Sequence, residues 1–345
     1  MVRCAPTSPS RPWVSSVDLP GLGTAAVWQC AGPPHAETLV LLHGVAMTAE
    51  LCWFRVLEQL GRQFRIVAPD LRGHGDGIPL RGSRFRLEDS VDDIAALADV
   101  LDIKRFAAVG YSIGGMVAQL LWRRHPRLVS GLVLCATARN VRGSWLEKLT
   151  SLYLSTTTTA LYLMPFAQAI TAEDLGSSLL GRIQDGESRA WARAQLSRTS
   201  LPAAMSAVQS AVEFTSHEWI AEVDVPTAVV ITTADNVVPP SRQRRLARAI
   251  PHAAVFDLVG DHAVILNDPA RFAQVLIAAS RSVTGAIAGQ AVGLAGLSPA
   301  AGVRPADRDV ARPERELFDP KIGDELFQPS PGPVEAIKRS NVGSV

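Results

Sequence analysis

Thr38-Leu39-Val40-Leu41-Leu42-His43 is a continuous apolar run closed by a histidine, the pattern of a strand buried on both faces. Similar short runs recur at Arg65 to Pro69, Phe106 to Val109, Leu132 to Cys135, Thr227 to Thr232 and Ala254 to Leu258. Between them the period changes. Leu87, Val91, Ile94, Leu97 and Leu101 fall three or four apart, which predicts an amphipathic helix from Leu87 to Leu101. Asp89, Asp92 and Asp93 near its start suit the positive end of the helix dipole. Weaker helical patterns cover Trp53 to Leu60, Ile113 to Arg124, Ser241 to Ala249 and Pro269 to Ser280. Strand and helix in strict turn predict an α/β fold, a mostly parallel sheet with helices on both faces. Antiparallel pairing is expected only for an opening hairpin, Trp13 to Leu19 and Ala25 to Cys30, turning at Pro20-Gly21.

The alternation stops between Asn140 and Glu222. That stretch is helix-rich and carries Trp145, Leu149, Leu152, Tyr153, Leu161, Tyr162, Met164 and Phe166. An insertion of this length is too long for a bare loop, and a helical cap on the sheet's carboxyl edge is the expectation. The predicted organisation is an extension over 1–12, a core over 13–139 and 223–282, a cap over 140–222 and an Ala/Gly/Pro-rich tail over 283–345.

The tail opens without charge from Ser282 to Val303, with Gly285, Gly289 and Gly293 four apart. That spacing permits close helix packing in membranes, but the glycines and Pro299 weaken any helix, so a membrane span is the less favoured reading. The remainder is polar and Pro-rich, as in disordered segments. It holds a short echo, Glu316-Leu317-Phe318-Asp319-Pro320 and Glu325-Leu326-Phe327-Gln328-Pro329, a candidate docking peptide for a protein partner.

Composition narrows the function classes. The chain of 345 residues is 47% hydrophobic and 19% charged, with a formal net charge of +1, so no long-range field favours nucleic acid. The run Arg242-Gln243-Arg244-Arg245 reads as a solvated helix face. The first residues, broken by Pro6, Pro9 and Pro12, contain no apolar leader, which gives a cytoplasmic expectation. Cys4, Cys30, Cys52 and Cys135 are dispersed without metal-ligand spacing, and Cys30 and Cys135 suit reduced core positions. No metal or other cofactor is expected.

The chemistry concentrates at Gly110-Tyr111-Ser112-Ile113-Gly114, a G-x-S-x-G sequence with an apolar strand before it and a helical run after it. A serine there sits on a sharp turn that lifts its hydroxyl clear of the sheet, and small flanking residues let strand and helix cross closely. A serine capping a helix is the bland alternative for such a junction. With this motif the chain resembles the α/β-hydrolase superfamily over about Val14 to Ser282. His43-Gly44 is similar to its HG oxyanion loop, and Asp70-Leu71-Arg72-Gly73-His74-Gly75 to its D-x-R-G-H-G turn. Gly110 to Gly115 is similar to its nucleophile elbow, and His125-Pro126 to the end of the elbow helix.

The resemblance implies the order serine, acid, histidine. Of the downstream histidines, His125, His217 and His252 fall at unsuitable ends of elements. His262, in the loop Val259-Gly260-Asp261-His262 after a strand, is the expected base. Asp235 opens Asp235-Asn236-Val237-Val238-Pro239, like the family's D-x-x-V-P turn, although Ala234 stands where many members have glycine. The family's alternative acid position falls in Ala136 to Asn140, which has no carboxylate. By the same resemblance, the backbone N–H groups of Val45 and Ile113 form the oxyanion hole. Asp70, Arg72 and His74 read as a structural turn network.

The expected activity is cleavage of an ester or related acyl bond of a small, largely apolar substrate through an acyl-enzyme. Serine at position 112 speaks against dehalogenase and epoxide hydrolase chemistry, in which the family uses aspartate. The same three residues also serve lactonases, thioesterases, carbon–carbon hydrolases, cofactor-free haloperoxidases and acyltransferases, and a receptor-like ligand binder is the non-catalytic alternative.

Overall fold

The computed structural model describes residues 14–80, 84–141 and 186–295. Eight strands form one sheet in the order β1-β2-β4-β3-β5-β6-β7-β8. They are β1 (Val14–Leu19), β2 (Gly23–Cys30), β3 (Thr38–Leu42), β4 (Arg65–Pro69), β5 (Phe106–Tyr111), β6 (Val129–Cys135), β7 (Thr227–Thr232) and β8 (Ala254–Leu258). β3 to β8 run parallel. Antiparallel pairing reaches further than the hairpin: β2 also runs antiparallel to β4, so the hairpin joins the parallel sheet by its second strand.

Every residue of β3, β5, β6 and β7 is buried. Alternate side chains go to opposite faces, with Val40, Leu42, Phe106 and Ala108 on one side and Leu39, Leu41, Ala107 and Val109 on the other. The first face is covered by α2 (Leu87–Val100), α3 (Ile113–Arg124) and a later helix, Pro240–Ala249. The second is covered by α1 (Ala49–Gly61) and the last helix, Pro269–Ala295. Only Glu88 and Asp89 lie in the first turn of α2. Asp92 instead pairs with Arg124 and His125, and Asp93 takes a bidentate pair from Arg72.

The described part of the insertion holds two α-helices, α4 (Gly186–Leu196) and α5 (Leu201–Glu213), and a 3₁₀ turn, Ile220–Glu222. The Ser200 side chain caps α5 by accepting from the Ala203 N–H. Thr48 donates to Gln195 and Gln195 donates to Glu50 at 3.1 Å, which fastens α4 to the start of α1, while the Gly75 N–H donates to Thr199 and fastens the following turn to the Asp70 turn. The aromatic positions expected to line the cap, Trp145 to Phe166, lie outside the described residues.

After β7 come α6 (Pro240–Ala249), β8, the short α7 (Val264–Asn267) and α8 (Pro269–Ala295). The helix predicted to stop at Ser280 therefore continues through the first residues of the expected tail. Phe272, Leu276, Ala279 and Val283 anchor α8 in the core. Once those turns exist, each added residue fixes one backbone unit for one hydrogen bond, and the alanines offset the glycines. The segment Pro269–Gly289 is long and apolar enough to cross a membrane by length and composition alone. Positions 296–345, including the Glu316 and Glu325 echo, lie outside the described residues.

Candidate active site

Ser112 stands between β5 and α3 with φ 56° and ψ −119°, a strained combination for a residue with a side chain. Its backbone is held on both sides, its N–H donating to Cys135 O at 2.9 Å and its C=O accepting from the Gly115 N–H at 3.0 Å. It occupies the cap position of α3, yet its hydroxyl makes no capping bond. Instead Oγ lies 3.0 Å from His262 Nε2. The glycines around it answer to space. A Cβ on Gly110 would lie 2.3 Å from Gly114 O, and one on Gly114 would lie 2.1 Å from Leu42 O.

His262 Nδ1 lies 2.8 Å from Asp235 Oδ2. An ionised carboxylate only accepts, so Nδ1 carries the proton in that bond and Nε2 is left to accept from the Ser112 hydroxyl. Asp235 is 2% exposed and fully saturated. Oδ1 accepts from the Val237 and Val238 N–H groups at 2.8 Å each. Oδ2 accepts from Thr232 Oγ1 at 2.7 Å and Gln243 Nε2 at 3.2 Å besides His262. Burial alone pushes this carboxyl up. The His262, Thr232 and Val238 partners together outweigh it and hold the group below the ordinary carboxylate range. Asp261 Oδ1 accepts from the Ala263 N–H at 3.0 Å and shapes the loop.

Gln243 is a site residue that the sequence reading missed. It is buried, and its amide also donates to Val238 O at 2.7 Å and accepts from the Thr232 N–H at 3.0 Å. The run of arginines around it disguised it as solvated surface. The signal was available in the spacing, because Leu246 and Ala247, three and four residues on, are the buried face of α6.

Val45 follows the end of β3 in a bend where Ala46 has φ 61° and the Met47 N–H donates to Gly44 O. Gly44 faces the serine, since a Cβ there would lie 3.7 Å from Ser112 Cβ. Ile113 opens α3, where backbone N–H groups have no acceptor within the helix. Among the described residues neither the Val45 nor the Ile113 N–H has a backbone acceptor.

The Asp70 turn is a scaffold for this loop. Asp70 accepts from the Ala49 N–H at 2.7 Å and the Asp76 N–H at 2.9 Å, and a Cβ on Gly75 would collide with it. His43 Nε2 accepts from the Leu71 N–H at 2.9 Å, so its proton sits on Nδ1 and is donated to Gly44 O at 2.8 Å. Burial lowers His43 to a pKa of about 4, and His74, which bonds Arg72 O, to about 3. Both are neutral structural groups. Cys30, Cys52 and Cys135 are buried. Among the described residues no three His, Cys, Asp or Glu side chains gather to hold a metal.

A sheet of this order, a serine on a strained strand-to-helix turn and a histidine–aspartate pair from two later loops form one arrangement. A model of the α/β hydrolase fold family matches residues 37–269. The chain belongs to the α/β hydrolase fold family. Among its relatives in the family, an uncharacterized protein of Mycobacterium tuberculosis is 27% identical over 254 residues, covering 69% of this chain and 73% of that one. A putative carbamate hydrolase of Agrobacterium fabrum is 26% identical over 252 residues, covering 69% of this chain and 90% of that one. A hydrolase from Pseudomonas aeruginosa has the same fold at TM-score 0.64 and 21% identity, covering 77% of this chain and 97% of that one.

Proposed function

We propose that this α/β hydrolase is a serine hydrolase of ester or related acyl bonds, with Ser112 as nucleophile, His262 as base and Asp235 as the acid that orients it. The observation that carries the reading is the unbroken hydrogen-bonded chain from Ser112 Oγ through both nitrogens of His262 to Asp235, at 3.0 and 2.8 Å. Ser112 Oγ bonds to the substrate carbonyl carbon while its proton passes to His262 Nε2. Asp235 stabilises the imidazolium that results. The carbonyl oxygen, now negative, is received by the Val45 and Ile113 N–H groups. Nε2 returns the proton to the leaving alcohol as the tetrahedral species collapses to the acyl-enzyme. Water then repeats the sequence and releases the acid.

A small, largely apolar substrate fits the apolar composition of the cap sequence. The carbamate hydrolase relative supports the broader acyl class, because a carbamate carbonyl undergoes the same attack. The test is a panel of aryl esters of increasing acyl length with wild type and Ser112→Ala. Ser112→Ala is expected to lose on the order of 10⁴-fold or more in turnover. Full hydrolysis by the alanine variant would overturn the assignment. A wild type that hydrolyses nothing and resists a serine-directed phosphonate would favour a ligand-binding protein on the same fold.

A further inference from the structure

His262 is carried by an edge of the sheet. β8 is the edge strand, paired only with β7, and its side chains are buried at Leu258 but largely half-exposed or exposed before it. Val259 at the start of the loop is exposed, and Gly260 follows with φ 159°. The loop is tied to the neighbouring β7 loop by the Ala234 N–H, which donates to Gly260 O at 2.9 Å. Ser112, by contrast, hangs from a central strand whose backbone is fixed on both sides. A hydrogen bond between the two side chains has to be maintained from the central strand to the edge.

The residue immediately before the serine spans that gap. The Tyr111 hydroxyl donates to the backbone C=O of His262 at 2.7 Å. Its ring is 1% exposed. It stands edge-on to Trp53 at 6.5 Å and to Phe272 at 5.6 Å, with the His262 ring 5.7 Å away. Burial, then the neighbouring Cys52 and Asp235 groups, push the phenol well above its usual range, so it remains a donor. A buried ring packed against a tryptophan and a phenylalanine is held in place, and the hydroxyl at its end holds the loop.

We propose that Tyr111 is a positioning residue that sets the Ser112–His262 spacing, by clamping the backbone of His262 to the residue that precedes the nucleophile. The inference rests on the proposed roles of Ser112 and His262. In this arrangement the residue before the serine acts as a strut to the base, through a hydroxyl at the end of a buried aromatic ring. Phenylalanine would keep the packing on Trp53 and Phe272, release the loop and leave a buried carbonyl without its donor.

The test compares wild type, Tyr111→Phe and Leu97→Ala, the last a core truncation on the opposite face of the sheet. Each is assayed for aryl-ester turnover, for the rate of inactivation by a serine-directed phosphonate, for the labelled peptide by mass spectrometry, and for thermal unfolding. Tyr111→Phe is expected to lower kcat and the inactivation rate together by about 10- to 100-fold, the cost of a misplaced catalytic group. KM should stay within about twofold. Leu97→Ala should lose more stability and keep kcat. Wild-type kcat and inactivation rate in Tyr111→Phe would overturn the clamp, as would an equal fall in kcat for Leu97→Ala. A wild-type label on a residue other than Ser112 would overturn the underlying roles and the clamp with them.

Discussion

Gly114→Ala tests how tightly the elbow is built. In an α-helix this substitution ordinarily stabilises by about 1 kcal/mol, because alanine loses less backbone freedom on folding. Here the added Cβ would stand 2.1 Å from Leu42 O, 2.5 Å from Leu42 C and 2.7 Å from His43 O. Ordinary contact begins near 3.4 Å, so the first turn of α3 and the end of β3 must separate by roughly 1.3 Å. The obstructing atoms are backbone of a central strand, bonded to β4 on one side and β5 on the other, and cannot rotate away. Overpacking of this kind costs about 1–3 kcal/mol, which outweighs the propensity gain. The displacement falls between Ser112 and the His43-Gly44-Val45 loop, so activity should fall further than stability, by about 100-fold. Urea unfolding and aryl-ester kcat/KM measure the two effects. Gly285→Ala in α8 provides the contrast, since its Cβ would meet nothing within 4 Å, and it should be neutral or slightly stabilising. Unchanged stability and activity in Gly114→Ala would refute the close crossing of helix and strand.

Gln243→Leu should cost about 2–4 kcal/mol in urea unfolding and at least tenfold in kcat, because it removes a donor to Asp235 and leaves the Thr232 N–H and Val238 O without their buried partners. Asp235→Asn should retain the fold by circular dichroism but lose on the order of 10⁴-fold in kcat, since an amide cannot hold the same imidazole tautomer; a loss under tenfold would count against Asp235 as the acid. Stability should fall in mild acid. His43 and His74 have pKa values lowered to about 4 and about 3, below the unfolded value of about 6.5, so the unfolded chain takes up their protons first. Their contribution is complete above about pH 6.5 and is lost as pH falls toward those values. Two such groups lose about 2–4 kcal/mol between pH 6.5 and 5, and equal urea midpoints at those two pH values would contradict it. The raised carboxyls of Asp70 and Asp93 act the other way, stabilising as they protonate, and blunt the loss at lower pH.

The parallel sheet was legible because its central strands are buried on both faces and leave continuous apolar runs such as Thr38 to Leu42. Ser112, His262 and Asp235 were legible because each follows a strand at the same edge, and local glycine and proline patterns mark their turns. Gln243 was legible only in its spacing to Leu246 and Ala247, a signal that the arginines on either side of it mask. Tyr111 was not legible: the elbow pattern leaves that position open, and its partner lies 151 residues away. The end of α8 was misread because local composition says where a helix is weak, while packing of its first turns decides whether it propagates. The antiparallel joint of β2 to β4 is a long-range pairing that neither strand's pattern specifies.

The central claim is that Ser112 carries the acyl group. Wild-type enzyme mixed with excess p-nitrophenyl butyrate, quenched in acid within the first turnovers and mapped by peptide mass spectrometry tests it directly. A butyryl adduct is expected on the peptide containing Ser112, absent from Ser112→Ala and from unfolded protein. Turnover with no acyl adduct, or an adduct on another residue, would contradict it.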